Sequence, residues 1–189
     1  MRHQSTTKLG VLCILSLLFT SAVLCQGKTF KLGIEFQGYP TGLIPGVRGD
    51  LFISDFSKVA VRAGYNIVRH GDAGEHDDER GSGPGFSIGY DVLPFSTHRW
   101  TFGIRSDIWF NTIDWKDEIN GVPMAYVTGT TNVTVLQPTV QAGYRMPIGE
   151  RIEIMPTLSF GYEINVHIVG SAVGHGPIGL GGVVINYEL

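Results

Sequence analysis

The chain has 189 residues, with 14 Lys and Arg against 17 Asp and Glu, and a formal net charge of −3. That length suits one domain, and the mildly acidic balance excludes the basic electrostatic footprint that nucleic-acid binding needs. The 2 cysteines are Cys13 and Cys25, so beyond residue 25 neither a disulfide framework nor a thiolate metal centre is available.

The first 25 residues differ from the rest. Arg2, His3 and Lys8 form a basic head, and the apolar run Leu9 to Leu24 follows, broken only by Gly10, Cys13, Ser16, Thr20 and Ser21. No acid precedes Glu35. A basic head, an apolar stretch and a small-residue exit make a cleavable secretory signal peptide, expected over 1–25, with Gln26 starting the mature domain, 26–189. Acylation of Cys25 is the lesser alternative, because Leu24 stands where a small residue is needed. An uncleaved anchor is another, but the run is short for the roughly 20 apolar residues of a spanning helix. Loss of Arg2 and Lys8 takes the net charge from −3 to −5. After Leu24 charges interrupt every apolar segment, so membrane insertion, if any, must use strands.

From residue 28 the period is two. Phe30, Leu32, Ile34 and Phe36 alternate with Lys31, Gly33, Glu35 and Gln37. A second strand near Val47 to Ser54 is the least clear, since Leu51, Phe52 and Ile53 are consecutive. Val59 to Ile67, Phe86 to Val92 and Trp100 to Phe110 alternate cleanly, the last with only Ser106 out of character on its apolar face. Leu136 to Met146, Ile152 to Tyr162 and Val183 to Leu189 complete eight strands, with Pro138 and Pro156 on apolar faces where each removes a ladder donor. Connections near 38–46, 69–84, 112–131 and 166–177 are expected to be long, and those near 55–57, 94–98 and 147–150 short.

Long loops at one end and short turns at the other suit an eight-stranded antiparallel up-and-down transmembrane β-barrel. A soluble eight-stranded carrier, apolar inside, is the rival. Glycines interleaved with charges on the polar face suit a narrow filled interior, and aromatics towards strand ends suit interfacial girdles. Lys31, Arg62, Arg105, Arg145 and Arg151 against Glu35, Asp91, Asp107, Glu153 and Glu163 suggest an interior filled by paired charges. With Ala63-Gly64-Tyr65-Asn66, Ala142-Gly143-Tyr144-Arg145 and the terminal Gly182 to Leu189, the chain resembles the small OmpA/OmpX-like outer-membrane β-barrel proteins of Gram-negative bacteria over its strand-bearing part. That family usually ends in an aromatic residue; Leu189 stands there, with Tyr187 two before it. The resemblance implies export to the periplasm and residence in the cell outer membrane. The implied partners are the lipid bilayer, lipopolysaccharide and the assembly machinery. A monomer without cofactors is expected.

Gly85-Phe86-Ser87-Ile88-Gly89 matches a nucleophile elbow, but the alternation runs on through Tyr90 and Val92 where the elbow needs a helix. Gly174, Gly176 and Gly179 have dinucleotide-loop spacing with no helix to follow. Arg48-Gly49-Asp50 is read as chance. Asp72, Glu75, His76, Asp77, Asp78 and Glu79 are weak metal candidates, since carboxylates and imidazoles suit cations, although a solvated acidic loop is the plainer reading. Divalent bridging to lipopolysaccharide is the alternative, which His167 and His175 could join. The expected role is non-enzymatic, structural or surface-interacting through the long loops. A narrow porin-like channel is second. A lipid-modifying enzyme is third, requiring a Ser/His pair among Ser82, His70, His167, Ser171 and His175.

Overall fold

The structure is a computed structural model that describes residues 29–71, 74–95, 97, 99–119 and 125–189; the expected leader and Asp72 lie outside them. Alternating residues place successive side chains on opposite faces, and the chain forms strands β1 (Phe30–Tyr39), β2 (Gly42–Ser54), β3 (Ser57–Gly71), β4 (Asp78–Val92), β5 (Trp100–Glu118), β6 (Tyr126–Tyr144), β7 (Met146–Ile148), β8 (Ile152–Val169) and β9 (Gly176–Glu188). Each pairs antiparallel with its neighbour in sequence, β6 with β8, and β1 with β9, which closes the ring. The short β7 pairs only with β8 and prolongs the line of β6 past Arg145. The wall therefore has eight strands, up and down, and no open edge.

The strands run further than their expected bounds. Much of 38–46, 69–84 and 112–131 is ladder: β5 and β6 have 19 residues each, paired from Trp100–Tyr144 to Glu118–Tyr126. The first expected long loop shrinks to Pro40 and Thr41 between β1 and β2. The cause is a change of sign in the alternation. Along β5 the outward side chains are apolar up to Phe110 except for Ser106, and then polar (Thr112, Asp114), while Asn111 and Ile113 point inward. A strand whose polar side has changed face looks like loop in sequence.

The prolines sit where a ladder lets go. Pro45, Pro84 and Pro138 keep their partners on one side (Phe36, Tyr65 and Ser106). On the other side the register skips them, between β2 and β3, β4 and β5, and β6 and β8 respectively. A missing N–H then breaks no bond. Pro156 likewise pairs with Val183 on β9, one position past the last pair of β8 with β6, Thr157–Gly143. The awkward run Leu51-Phe52-Ile53 has a register shift against β3. Phe52 lies beside the ammonium of Lys31 at 5.5 Å and the guanidinium of Arg145 at 5.3 Å.

Candidate functional site

The outward face is apolar. Ile104 is 64% exposed and Ile88 61%, and Val140, Phe160, Leu158 and Val47 are exposed with them. The inward face holds the charges: Glu35, Asp50, Lys58 and Asp107 are wholly buried, with Arg48, Arg62, Asp91 and Arg105 nearly so. A water-soluble barrel would have these sets exchanged. This barrel is inside-out. Aromatics flank the apolar band, with Trp100, Tyr144 and Tyr187 at the end bearing the chain termini and Phe36, Tyr65, Phe110 and Tyr162 towards the other.

The interior charges form one balanced cluster. Glu35 accepts from Arg48 at 3.2 Å, Arg62 at 3.1 Å and Arg105 at 2.8 Å. Asp107 accepts from Arg62 at 2.6 Å and Arg105 at 3.0 Å, and also bonds Ser87. Arg48 reaches Asp50 and Asp91, and Lys58 reaches Asp50 at 2.6 Å. Four cations thus face four carboxylates, the arrangement that makes burial of charge tolerable. Nearer the termini, Glu153 holds Lys31 and Arg145. Arg151, expected inside, stands in the exposed β7–β8 turn and donates to the Tyr187 hydroxyl. Arg48, Asp50 and Lys58 were not among the expected interior charges. The alternation Val47, Gly49, Leu51 outward against Arg48 and Asp50 inward was the available signal.

Beyond the cluster the interior turns apolar. Trp109 is wholly buried, donates through Nε1 to Gln137 at 2.8 Å and lies 5.3 Å from the Arg62 guanidinium. Its space comes from Gly64 and Gly85: a Cβ on Gly85 would stand 2.2 Å from the indole. Ile44, Ile113, Val133, Val135, Ile178 and Leu180 pack around it, together with Val173 from the β8–β9 connection. That connection folds over the mouth. Thr131 donates to the Ser171 carbonyl at 3.0 Å, and Asn165 to the Val173 carbonyl at 2.9 Å.

Two residues of the acidic segment clasp the same connection. Glu79, buried, accepts from the N–H groups of Glu75, His76 and Gly174 and bonds His70 Nδ1 at 3.1 Å. This end lies beyond the apolar band. Burial alone would raise the Glu79 carboxyl, yet the bonds from His70, Gly174, Glu75 and His76 hold it below its ordinary range. His76 stacks on Trp115 with centroids 4.1 Å apart, and its nitrogens meet Asp117 at 2.8 Å and the Ala172 carbonyl at 2.9 Å.

The metal candidates are dispersed by these roles. Asp77 accepts from the Glu118 N–H, Asp78 pairs with Arg80, and Glu75 is exposed. Among the described residues no three His, Cys, Asp or Glu side chains are grouped to hold a metal ion. Among the described Ser and His candidates no serine is hydrogen-bonded to a histidine, although His70 and His175 line one cavity at the mouth. Ser82 bonds the Tyr65 hydroxyl on the outer wall, His70 is inward with Glu79, His167 is exposed on β8, and Ser171 and His175 lie in the β8–β9 connection. Ser87 is buried in the charge cluster, and Arg48 and Asp50 of the Arg-Gly-Asp triplet are internal.

No protein-family model and no curated protein matches the sequence. Solved structures similar to the chain are outer-membrane barrels. A major outer membrane protein of Thermus thermophilus has 12% identity over 87% of this chain and 100% of its own, with a TM-score of 0.49. The attachment invasion locus protein Ail of Yersinia pestis has 9% identity, covering 86% and 97%, with a TM-score of 0.47. The N-terminal β-barrel domain of Pseudomonas aeruginosa OprF has 11% identity, covering 84% and 97%, with a TM-score of 0.44.

Proposed function

We propose that this is a non-enzymatic, integral outer-membrane barrel whose interior is closed to solutes and whose work is done at its outer rim. One observation carries the closed reading: two successive layers, the balanced charge cluster and the Trp109–Val173 apolar cluster, occupy the interior. A conducting pore would be expected to show a water-filled path lined by one sign of charge. The apolar outward face supports insertion, since a closed barrel leaves no backbone group unpaired in lipid. Single-channel recording in planar bilayers tests the reading. Protein that inserts without discrete conductance steps supports it, and regular steps would replace it with the narrow channel.

The rim supports a lipopolysaccharide partner. Arg69 and Arg80 face each other across β3 and β4, both exposed on the outward side, with Tyr65 four residues before Arg69. Like charges directly opposed are unfavourable; Asp78 offsets Arg80 at 3.0 Å, and a phosphate between the two guanidiniums would serve both. Retention of lipid A by the folded protein should fall in the double variant Arg69→Ala/Arg80→Ala; unchanged retention would remove this partner. The proposal includes export with loss of 1–25 and residence as a monomer. N-terminal sequencing of envelope protein should begin at Gln26, and an intact Met1 would contradict export.

A further inference from the structure

Among the described residues, the buried carboxylates Glu35, Asp50, Asp91, Asp107, Glu153 and Glu79 each have a bonded cationic side chain or imidazole. Glu163 differs. It projects from β8 into the outer mouth, half-buried; no hydrogen bond or ion pair reaches its carboxyl among the described residues, and the His70 imidazole acts on it only across space. It lines an open cavity of about 300 Å³ with Tyr39, His70 and His175. Beneath that cavity is a chamber of about 10 Å³, which Glu163, Tyr39 and His70 also line, joined there by Asn111 and Asn165. The Oδ1 atoms of Asn111 and Asn165 are buried without a hydrogen-bond partner, and Asn111 is only 3% exposed.

Three acceptor-bearing side chains therefore line one small chamber, and one of them is a carboxyl that burial pushes above its ordinary range against the opposing pull of His70. Two donors close by are engaged elsewhere, the Tyr39 hydroxyl with Asn66 at 2.8 Å and the Asn165 amide with the Val173 carbonyl, and His70 turns Nδ1 to Glu79. Buried acceptors without donors are costly, and a carboxyl in a partly desolvated site with no bonded partner is ionised most readily when a cation joins it. The chamber is the size of one water-sized group, which is also the size of an –NH₃⁺ head with three N–H donors.

We propose that the outer mouth is a binding site for a primary ammonium ligand. The –NH₃⁺ group occupies the chamber and donates to Glu163, Asn111 and Asn165, while its carbon chain lies in the cavity beside Tyr39. The β8–β9 connection, through Gly174 and His175, forms the outer lip. The mouth opens outward, and the chamber shares Ile113, Val133, Val135 and Val173 with the apolar cluster that closes the interior.

The test is titration of the folded full-length mature protein in lipid nanodiscs with n-butylamine, read from the side-chain amide resonances of Asn111 and Asn165. Saturable shifts of both are expected. n-Butyltrimethylammonium, which keeps the charge and lacks N–H donors, should bind at least about tenfold more weakly, as should uncharged n-butanol. Glu163→Gln should weaken n-butylamine by a similar factor while retaining the mobility of the unheated folded form on gels. If that variant does not fold, the comparison of the three ligands on the parent protein decides alone. Equal binding of n-butylamine and n-butanol, or no saturable shift with any ligand, overturns the proposal and leaves a chamber for water only. Because insertion and conductance are read separately, failure here leaves the closed-barrel reading standing.

Discussion

Replacing Glu35 by leucine removes the acceptor at the middle of the interior cluster. Three guanidiniums lose a partner at 2.8 to 3.2 Å, in a place with no exposure to water. The balance of four cations and four carboxylates becomes an excess of one positive charge. Breaking a buried ion pair costs about 3–5 kcal/mol. Here each arginine keeps a second carboxylate, Asp107 for Arg62 and Arg105 and Asp50 or Asp91 for Arg48, so the lower end, about 3 kcal/mol, is expected. The assay is urea unfolding of the protein refolded into phosphatidylcholine vesicles, followed by tryptophan fluorescence. Trp109 is a suitable reporter because it lies against Arg62. Adding Arg105→Met to Glu35→Leu restores the charge balance and should recover part of the loss, as coupled neighbours do. A Glu35→Leu protein within about 0.5 kcal/mol of the parent, the size of an ordinary surface change, would refute the buried-cluster reasoning.

Ile104→Arg puts a charge on the outward face between Phe102 and Ser106, and should cost about 2–4 kcal/mol in vesicles if the position is near mid-bilayer; a cost near zero would mean that the residue faces water. Glu79→Ala should free the β8–β9 connection without unfolding the barrel, seen as protease cleavage within 171–175 while unheated mobility on gels persists. Protection by Glu79 should also depend on pH. Its carboxyl is held below the ordinary range, so the contribution is complete above that range and is lost as pH falls through the lowered value. Cleavage of the parent protein should therefore rise on acidification below about pH 4, and constant protection there would contradict the clasp.

The barrel is legible in sequence because one physical demand, apolar outward and polar inward, repeats with period two from Phe30 to Leu189. Where that demand stops, so does the signal. Above the apolar band the outward side chains become polar (Thr112, Asp114) and the inward ones apolar (Ile113, Val133, Val135), and the strand extensions read as loops. Arg48 and Asp50 were hidden by Phe52, which sits at the register shift of β2 against β3 and blurs the alternation next to them. The clasp by Glu79 and His76 was not legible at all. It joins residues 95 and 96 positions apart, and only ring closure brings β4 and the β8–β9 connection together. The acidic run drew attention for its composition, while the structure uses Glu79 and His76 to hold the β8–β9 connection.

The inside-out arrangement is tested most directly by single-cysteine labelling of a chain comprising residues 26–189, which contain no cysteine. Outward positions Ile104 and Val140 and inward positions Ala60 and Thr139 are replaced in turn, labelled with an environment-sensitive fluorophore before folding, and refolded into vesicles carrying nitroxides part-way down the acyl chains. The account predicts that the Ile104 and Val140 labels fold and are strongly quenched. Labels at Ala60 and Thr139 should block folding, because those positions are 4% and 5% exposed in a filled interior. Inward labels that fold freely, with outward labels left unquenched in water, would contradict the account and indicate a barrel that turns its outer face to solvent.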